Sequence, residues 1–332
     1  MSNVPSPLAS DDLGAALSGL LARPTELPPS DLISVVRLAG EILGASTARV
    51  LIADYGLTSL QELGRDGPIG PRQALEGTMA GRAFIGADVM VTGQDPAVVL
   101  VPLCEGSERL GVLELTYATW DDEHEALLTP IVRVLVLLLI SRRRYTDVVL
   151  RARRSEQLSP AAELQWDLLP PLTCSTPRVS VSGILEPAYS IGGDSFDYAL
   201  NEDTAELAIV DAMGHGMTAV LLSVSAINCL RNARREGQGL QAAYLSTGAA
   251  IAAQATGSAY VTGQMASLDL TSGGLTWLNA GHPRPLLVRD GTSAVDRRPT
   301  SADQWWRMSH SGAQVIRLPA GTTTSIGATN LQ

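Results

Sequence analysis

Four short segments rich in glycine and polar residues follow one another in the second half of the chain, and they constrain its fold more than any other feature. They are Gly192–Tyr198 (GGDSFDY), Asp211–Gly216 (DAMGHG), Gly263–Gly274 (a strand and its turn) and Asn279–Pro283 (NAGHP). Glycine supplies the backbone freedom that a tight turn requires. Any one of these segments is a weak signal, whereas the ordered set is a strong one.

Two aspartates in these segments are candidates for metal binding. Asp194 follows two glycines, and Asp211 comes after the apolar strand Leu207–Val210. Carboxylates at the ends of neighbouring strands can converge on hard divalent cations, which prefer oxygen ligands. Two such cations can clamp a phosphate and generate a hydroxide nucleophile at neutral pH. The alternative, for either residue taken singly, is that the aspartate only stabilises a turn or caps a helix, which is a common role for aspartate.

The ordered segments, together with Gln-Trp-Asp-Leu-Leu-Pro-Pro at 165–171, resemble the SpoIIE/RsbU-like branch of the PPM-type serine/threonine phosphatases over Gln165–Arg289. The resemblance implies an α-β-β-α sandwich and direct hydrolysis of phosphoserine or phosphothreonine with two Mn²⁺ or Mg²⁺ ions. It implies Asp194 and Asp211 as catalytic metal ligands, with the Ala212 carbonyl as a further ligand. It also implies a STAS-like anti-anti-sigma factor as the substrate.

Three other polar residues in the segments have less certain roles. Asp197 either holds a metal-bound water or only fixes the loop. His215 is spaced differently from the Asp-Gly-His of eukaryotic relatives, so a loop-stabilising role is favoured over proton donation. His282 lies in a tight turn, where a structural role is also favoured. The four histidines of the chain show no ligand spacing, which argues against a zinc site.

The resemblance also implies a Thr-Asp-Gly strand and a further aspartate near the carboxyl end. Neither is found, and Asp303 is the last acidic residue of the sequence. Two usual carboxylate ligands are therefore missing from these 332 residues. We expect either that the sequence is truncated or that its catalytic competence is reduced.

The first half of the chain alternates helical and strand patterns in an order that resembles a GAF domain over residues 31–145. The predicted elements are a helix from Leu32 capped by Ser30 and Asp31, a strand at Arg49–Asp54, a small helix at Glu76–Phe84 and a hairpin of Val98–Leu103 with Leu110–Leu115. No cysteine is placed to attach a bilin, and there is no cyclic-nucleotide signature. A small-molecule sensor and a dimerising scaffold without ligand both remain open.

A long helix is predicted from Glu123 through Arg154, after a cap at Asp121 and Asp122. A heptad repeat runs through Ile131, Leu138, Tyr145 and Ala152. Such a seam is typical of a coiled coil, so we predict a parallel homodimer; the alternative is that Ile131–Leu138 packs on the GAF-like sheet. The same helix carries a cluster of arginines, interpreted as a solvated face or a surface for an acidic partner: Arg142, Arg143, Arg144, Arg151, Arg153 and Arg154.

The predicted organisation is α/β (α+β): a tail or a small docking helix at 1–30, a GAF-like sensor domain at 31–145, a linker helix at 146–170 and a PPM-type sandwich at 171–332 lacking its C-terminal strands. The net charge of -10 argues against nucleic acid or anionic membrane as partners. The three cysteines, Cys104, Cys174 and Cys229, show no CxxC spacing and are predicted to be unpaired thiols of a cytoplasmic protein.

A phosphatase is the first functional hypothesis, and a non-catalytic regulator that binds a partner is the second. A ligand-binding GAF module alone leaves the pattern of Gly192–Pro283 unexplained.

Overall fold

The chain forms two compact units, Met1–Gln157 and Leu158–Gln332, each with both helices and strands, which agrees with the predicted α/β class. The structure is a computed structural model. It describes residues 13–186, 188–189, 192–254, 259–283, 285–289, 292–295, 314–317 and 325–327.

The first unit is built on a six-stranded antiparallel sheet with strand order β3-β2-β1-β6-β5-β4. Its strands are β1 Thr47–Ala53, β2 Ser59–Gly64, β3 Gly67–Ala74, β4 Met90–Thr92, β5 Ala97–Glu105 and β6 Glu108–Tyr117. The predicted first strand is β1, and the predicted hairpin is β5 with β6. Both predictions are confirmed. The apolar side chains of these segments are buried against the rest of the first unit, which explains why the segments form strands of the sheet.

Helices cover both faces of this sheet. They are α1 Leu13–Ala22, α2 Leu32–Ile42, α3 Met79–Gly86, α4 Asp122–Arg142 and α5 Val148–Arg153. The first core joins α1, α2 and α4 to one face, and a smaller core joins α3 to the other. The predicted cap of α2 is confirmed, since the Asp31 carboxylate accepts a hydrogen bond from the Ser34 amide at 3.2 Å.

Residues 13–22 form a helix that packs on the first unit, which agrees with the docking-helix alternative for residues 1–30. Helix α1 buries Ala16 and Leu20 in the first core, and Leu20 is fully inaccessible. The apolar stretch that the sequence shows here is thus part of the first unit, because it completes the helical layer on the sheet.

The predicted continuous helix from Glu123 through Arg154 is wrong. Helix α4 ends at Arg142, a 3₁₀ turn follows, and Thr146 is extended at φ −152° and ψ 145° before α5 begins. Ile131 and Ala152 are fully buried in the first core, whereas Tyr145 is 74% exposed. The heptad positions therefore form no continuous seam. The alternative, that Ile131–Leu138 packs on the sheet of the first unit, is confirmed.

Helix α4 is also apolar enough to raise the question of a membrane. With the turn that follows, His124–Tyr145 has the length and composition of a membrane span, at a mean hydropathy of 1.8. Its side chains at Leu128, Leu135 and Leu139 are buried in the first core. Packing within the unit accounts for its apolar composition.

Several arginines of the basic cluster make contacts inside the first unit. The Arg151 guanidinium donates to the Asp66 carbonyl at 2.6 Å, and that of Arg153 lies 4.2 Å from the centre of the Tyr55 ring. Arg72 of β3 donates to the Ala152 carbonyl at 3.0 Å. These contacts hold α5 against the sheet, while Arg151 remains exposed, which agrees with the interpretation as a solvated face at that position.

The second unit contains a five-stranded antiparallel sheet in the order β15-β12-β11-β10-β9, a three-stranded sheet in the order β14-β13-β16, and the hairpin β7-β8. Its strands are β7 Thr173–Ser175, β8 Ser180–Ser182, β9 Gly192–Leu200, β10 Thr204–His215, β11 Val261–Asp269, β12 Gly274–Ala280, β13 Leu286–Arg289, β14 Thr292–Val295, β15 Gln314–Arg317 and β16 Ser325–Gly327. The strand predicted at Val179–Leu185 is reduced to β8. Within the described residues, four short strands follow Pro283, and none of them carries the Thr-Asp-Gly segment that the resemblance implies.

The helices of the second unit are α6 Pro160–Leu168, α7 Met217–Arg235 and α8 Leu240–Gln254. Helices α7 and α8 pack on one face of the five-stranded sheet, where they bury Ala208, Val210 and Leu278. The predicted linker helix at 146–170 is not one helix, since α5 ends at Arg153 and Pro160 opens α6. Proline is well suited to the first turn of a helix, and the Ser159 hydroxyl caps that turn.

Candidate metal centre

Asp194 and Asp211 lie directly opposite each other on the neighbouring strands β9 and β10. Directly opposite residues of an antiparallel pair project to the same face, with their Cβ atoms about 4.5–5.5 Å apart. The structure therefore brings the two predicted carboxylates together. Asp211 is not at a strand end as predicted, because β10 continues to His215 after a register shift.

The carboxylate pair is on the face of the sheet away from α7 and α8. Ala208, Val210 and Ala212 point their side chains towards the helices, so Asp211 projects to the opposite side. Thr262 of β11 is the cross-strand partner of Asp211. A row of polar side chains, Asp194–Asp211–Thr262, thus crosses three strands, and both aspartates are half-buried.

The glycine before Asp194 allows a close approach of two strands. A Cβ atom at Gly193 would collide with the carbonyl oxygen of Ala212. Glycine at 193 thus leaves the space that this carbonyl needs. The predicted third ligand, the Ala212 carbonyl, consequently lies beside the backbone that carries Asp194.

Two side chains from helices fix the backbone of this segment. The Gln165 amide of α6 donates a hydrogen bond to the Asp194 carbonyl, and the Ser223 hydroxyl of α7 donates one to the Gly193 carbonyl. Gln165 is 2% exposed. The segment QWDLLPP therefore has a structural role, because its first residue, Gln165, fixes the strand β9 that carries Asp194.

Asp197 is on the other face of β9 from Asp194 and takes no part in the carboxylate pair. It is buried, and its two oxygens accept hydrogen bonds from Arg231 at 2.7 Å and from Arg234 at 3.0 Å. Its cross-strand partner, Ala208, is in the core under α7. The arrangement favours the structural role predicted for Asp197 over the water-binding one.

His215 and His282 occupy different environments. His215 is exposed opposite Gly192, between Gly214 and Gly216, whose φ values are 93° and 73°. His282 is 5% exposed. Burial lowers the pKa of His282 below its ordinary value of 6.5, although the charge of Asp194 acts in the opposite direction. The His282 imidazole is therefore neutral at pH 7.

The donor set suits a hard divalent cation. Two carboxylates and a backbone carbonyl offer oxygen alone, which is the preference of Mg²⁺ and Mn²⁺. Within the described residues, no group of three or more His, Cys, Asp or Glu side chains is positioned to hold a metal ion. The prediction that zinc does not bind stays a prediction. The three cysteines are free thiols, as predicted.

Sequence reasoning missed the residues that support the pair. Gln165 was inside a recognised segment, but nothing in its spacing indicated which carbonyl it binds. Ser223 lies on α7, and its bond to the Gly193 carbonyl depends on how that helix packs on the sheet. Thr262 carries no signal in the sequence, because its position depends on the register of β10 with β11.

Comparison with known proteins finds a family match within the second unit. Residues 201–302 match the family model of stage II sporulation protein E (SpoIIE). The RsbU and RsbW domains of a Mycobacterium tuberculosis protein match with 29% identity over 42% of this chain and 39% of that chain, at a TM-score of 0.38. RsbX in complex with magnesium matches with 18% identity over 41% of this chain and 66% of that chain, at a TM-score of 0.35.

A putative GAF sensor protein from Burkholderia vietnamiensis matches with 20% identity over 43% of this chain and 99% of that chain, at a TM-score of 0.32. The chain thus spans 39% of the RsbU–RsbW protein and 66% of RsbX. Residues 201–302 thus resemble the SpoIIE family.

Proposed function

We propose that this chain is a metal-dependent phosphatase that hydrolyses phosphoserine or phosphothreonine in a regulatory protein. The observation that carries the proposal is the direct cross-strand pairing of Asp194 with Asp211 on the face of the sheet away from α7 and α8. The match of residues 201–302 to the SpoIIE family supports the same reaction class.

The carboxylates of Asp194 and Asp211 and the carbonyl of Ala212 would hold the cations. Bound divalent cations would supply positive charge against the phosphate oxygens and lower the pKa of an attacking water. Gln165 and Ser223 hold the ligands in place, because their side chains donate hydrogen bonds to the backbone carbonyls of Asp194 and Gly193, respectively. Preorganised ligands reduce the rearrangement needed when a cation binds.

The substrate we propose is a phosphorylated STAS-like anti-anti-sigma factor, and either Mn²⁺ or Mg²⁺ would support the reaction. The support is the family resemblance. Through its cations, the carboxylate site would bind the phosphate group of the substrate and not a particular amino-acid sequence around it.

Phosphate release from a phosphorylated STAS-domain protein tests this proposal. We expect these 332 residues to release phosphate slowly and only with Mn²⁺ or Mg²⁺, because two of the carboxylate ligands that the resemblance implies are missing, and to stop when a chelator is added. Asp211→Asn should abolish release, whereas Asp203→Asn should retain it, because the Asp203 side chain is 67% exposed in the loop between β9 and β10.

Release that persists in chelator, or in Asp211→Asn, would refute the metal mechanism. Tight binding of the phosphorylated substrate without turnover would instead indicate the non-catalytic regulator.

Homodimerisation also belongs to this proposal, although the predicted seam is not continuous. The outer side of α4 and the turn after it expose Leu137 by 51% and Tyr145 by 74%. We expect sedimentation to show a dimer that Leu137→Glu with Tyr145→Glu disrupts. A monomer at micromolar concentration, unchanged by these substitutions, would contradict it.

A further inference from the structure

The turn between β12 and β13 holds a histidine at the same end of the sheet as the two aspartates. Both backbone groups of His282 bind one side chain: its amide donates to Asn279 Oδ1 at 2.8 Å, and its carbonyl accepts from Asn279 Nδ2 at 2.9 Å. Gln264 donates to the carbonyl of Pro283. The conformation of the turn is therefore fixed by side chains on the strands below it.

Gly281 lets this turn fold back over β11. Its φ is 68°, a value that favours glycine, and it pairs with Gly263 in a parallel bridge. The fold-back places His282 Nδ1 3.0 Å from the Thr262 hydroxyl. The imidazole thus contacts the third member of the row Asp194–Asp211–Thr262.

Thr262 is in a position to act on Asp211. The two residues are directly opposite on β11 and β10, so their side chains share a face at about 4.5–5.5 Å between Cβ atoms. A threonine hydroxyl has one proton to donate and can accept at the same time. When it accepts from an imidazole N–H, its own proton is directed to another acceptor.

An uncharged His282 is consistent with donation of a hydrogen bond from its imidazole to the Thr262 hydroxyl. A neutral imidazole has one N–H donor and one acceptor nitrogen, and which nitrogen carries the proton is set by the partner of each. Burial lowers the pKa of His282, so its Nδ1 can donate to Thr262 without placing a positive charge there.

We propose that His282 and Thr262 form a hydrogen-bond relay, from imidazole Nδ1–H to hydroxyl to carboxylate, that positions Asp211 for cation binding. The inference rests on the proposed function and names two positioning residues for its site. It assigns His282 a task beyond fixing the turn. Partners behind a metal ligand typically change metal affinity about 10- to 100-fold when removed.

Mn²⁺ affinity, measured by electron paramagnetic resonance on the folded full chain, provides the first test. Thr262→Val removes the hydroxyl with little change of shape and should weaken Mn²⁺ binding about tenfold, whereas Thr262→Ser should bind like the unsubstituted protein. Thr276→Val in β12 is the matched control and should have no effect, since Thr276 is opposite Ser267.

Substitutions of His282 separate positioning from simple burial. His282→Asn retains a donor close to the Nδ1 position, and His282→Gln moves the amide towards the Nε2 position. The relay predicts that Mn²⁺ affinity is retained in His282→Asn and lost about tenfold in His282→Gln. A merely structural role would reduce stability in both and change affinity in neither.

Nuclear magnetic resonance of the metal-free protein provides a second readout, independent of catalysis. We expect ¹⁵N shifts to place the His282 proton on Nδ1, and Thr262→Val to shift the tautomer balance. A proton on Nε2, or unchanged Mn²⁺ affinity in folded Thr262→Val, would overturn the relay. Mn²⁺ binding and the relay without phosphate release would instead refute the proposed function and leave this inference standing.

Discussion

At the scale of single residues, buried carboxylates in this protein are surrounded by donors from neighbouring side chains and amides. Asp54, at the end of β1, is fully buried. Its oxygens accept four hydrogen bonds from the amides and hydroxyls of Thr58 and Ser59, at 2.8–3.1 Å. These bonds close the turn into β2, so Asp54 stabilises the first unit.

We expect Asp54→Ala to lower the free energy of unfolding of the first unit by about 2–3 kcal/mol, because it removes a charged hydrogen-bond acceptor. Burial raises the pKa of Asp54, but the bonds from Ser59 and Thr58 outweigh it and leave the pKa below its ordinary 3.8. The stabilisation is therefore present above pH 3.8 and is lost as the pH falls further. Urea unfolding at pH 7 and at pH 3 measures this; an equal loss at both would contradict it.

A second prediction concerns Asp197, which lies beside the candidate site but is not part of it. Asp197→Asn leaves Arg231 and Arg234 without their charged partner, and breaking a buried ion pair costs about 3–5 kcal/mol. We expect lower stability of the second unit with unchanged Mn²⁺ affinity in the folded protein. Asp203→Asn, whose carboxylate is exposed, is the matched control. A loss of affinity without a loss of stability would place Asp197 in the metal centre.

At the scale of elements, the strands were easier to predict than the ends of the helices. β1, β5 and β6 are apolar runs bounded by turn residues, and such runs have few alternatives. The break of α4 at Arg142 was not predictable from periodicity. The heptad positions continue through Tyr145, although the chain turns there because α5 binds the edge of the sheet through Arg151 and Arg153.

Helix α4 contains a matched pair of leucines that tests its packing. Leu135 is fully buried and Leu137 is 51% exposed. We expect Leu135→Ala to destabilise the first unit by about 2–5 kcal/mol and Leu137→Ala to change its stability by less than about 0.5 kcal/mol. Thermal unfolding followed by circular dichroism measures both. Equal effects would indicate that α4 is covered on its outer side.

The sequence allowed the two carboxylates of the candidate site to be predicted, but not the residues that hold them in place. Asp194 stands next to Gly193, and Asp211 follows the recognisable strand Leu207–Val210, so the sequence contains their signal. The position of Thr262, the cross-strand partner of Asp211, depends on strand register, which side-chain patterns define only when the strands are already aligned. Gln165 depends on where α6 docks, and that is a property of the folded unit.

At the scale of the whole molecule, the division into two units was predicted, although the boundary lies at Gln157 rather than at residue 145 or 170. Each unit has its own apolar core, one around Leu135 and another around Leu230. Separate cores allow separate cooperative unfolding.

We expect differential scanning calorimetry of the full chain to resolve two transitions. Leu135→Ala should lower the midpoint of one, and Leu230→Ala, which removes a side chain that is 4% exposed, should lower the other. A shift of several degrees in a single transition is typical of about 1 kcal/mol in a domain of this size. One transition that both substitutions shift equally would show that the units unfold together.

The opposite orientation of Asp194 and Asp197 on β9 has a consequence for folding. A shift of β9 by one residue along β10 would turn every side chain to the other face. It would drive Asp194 into the apolar layer under α7 and leave Arg231 and Arg234 facing no carboxylate. The two arginines thus penalise misaligned chains during assembly, so a contact outside the candidate metal centre favours the alignment in which Asp194 and Asp211 face each other.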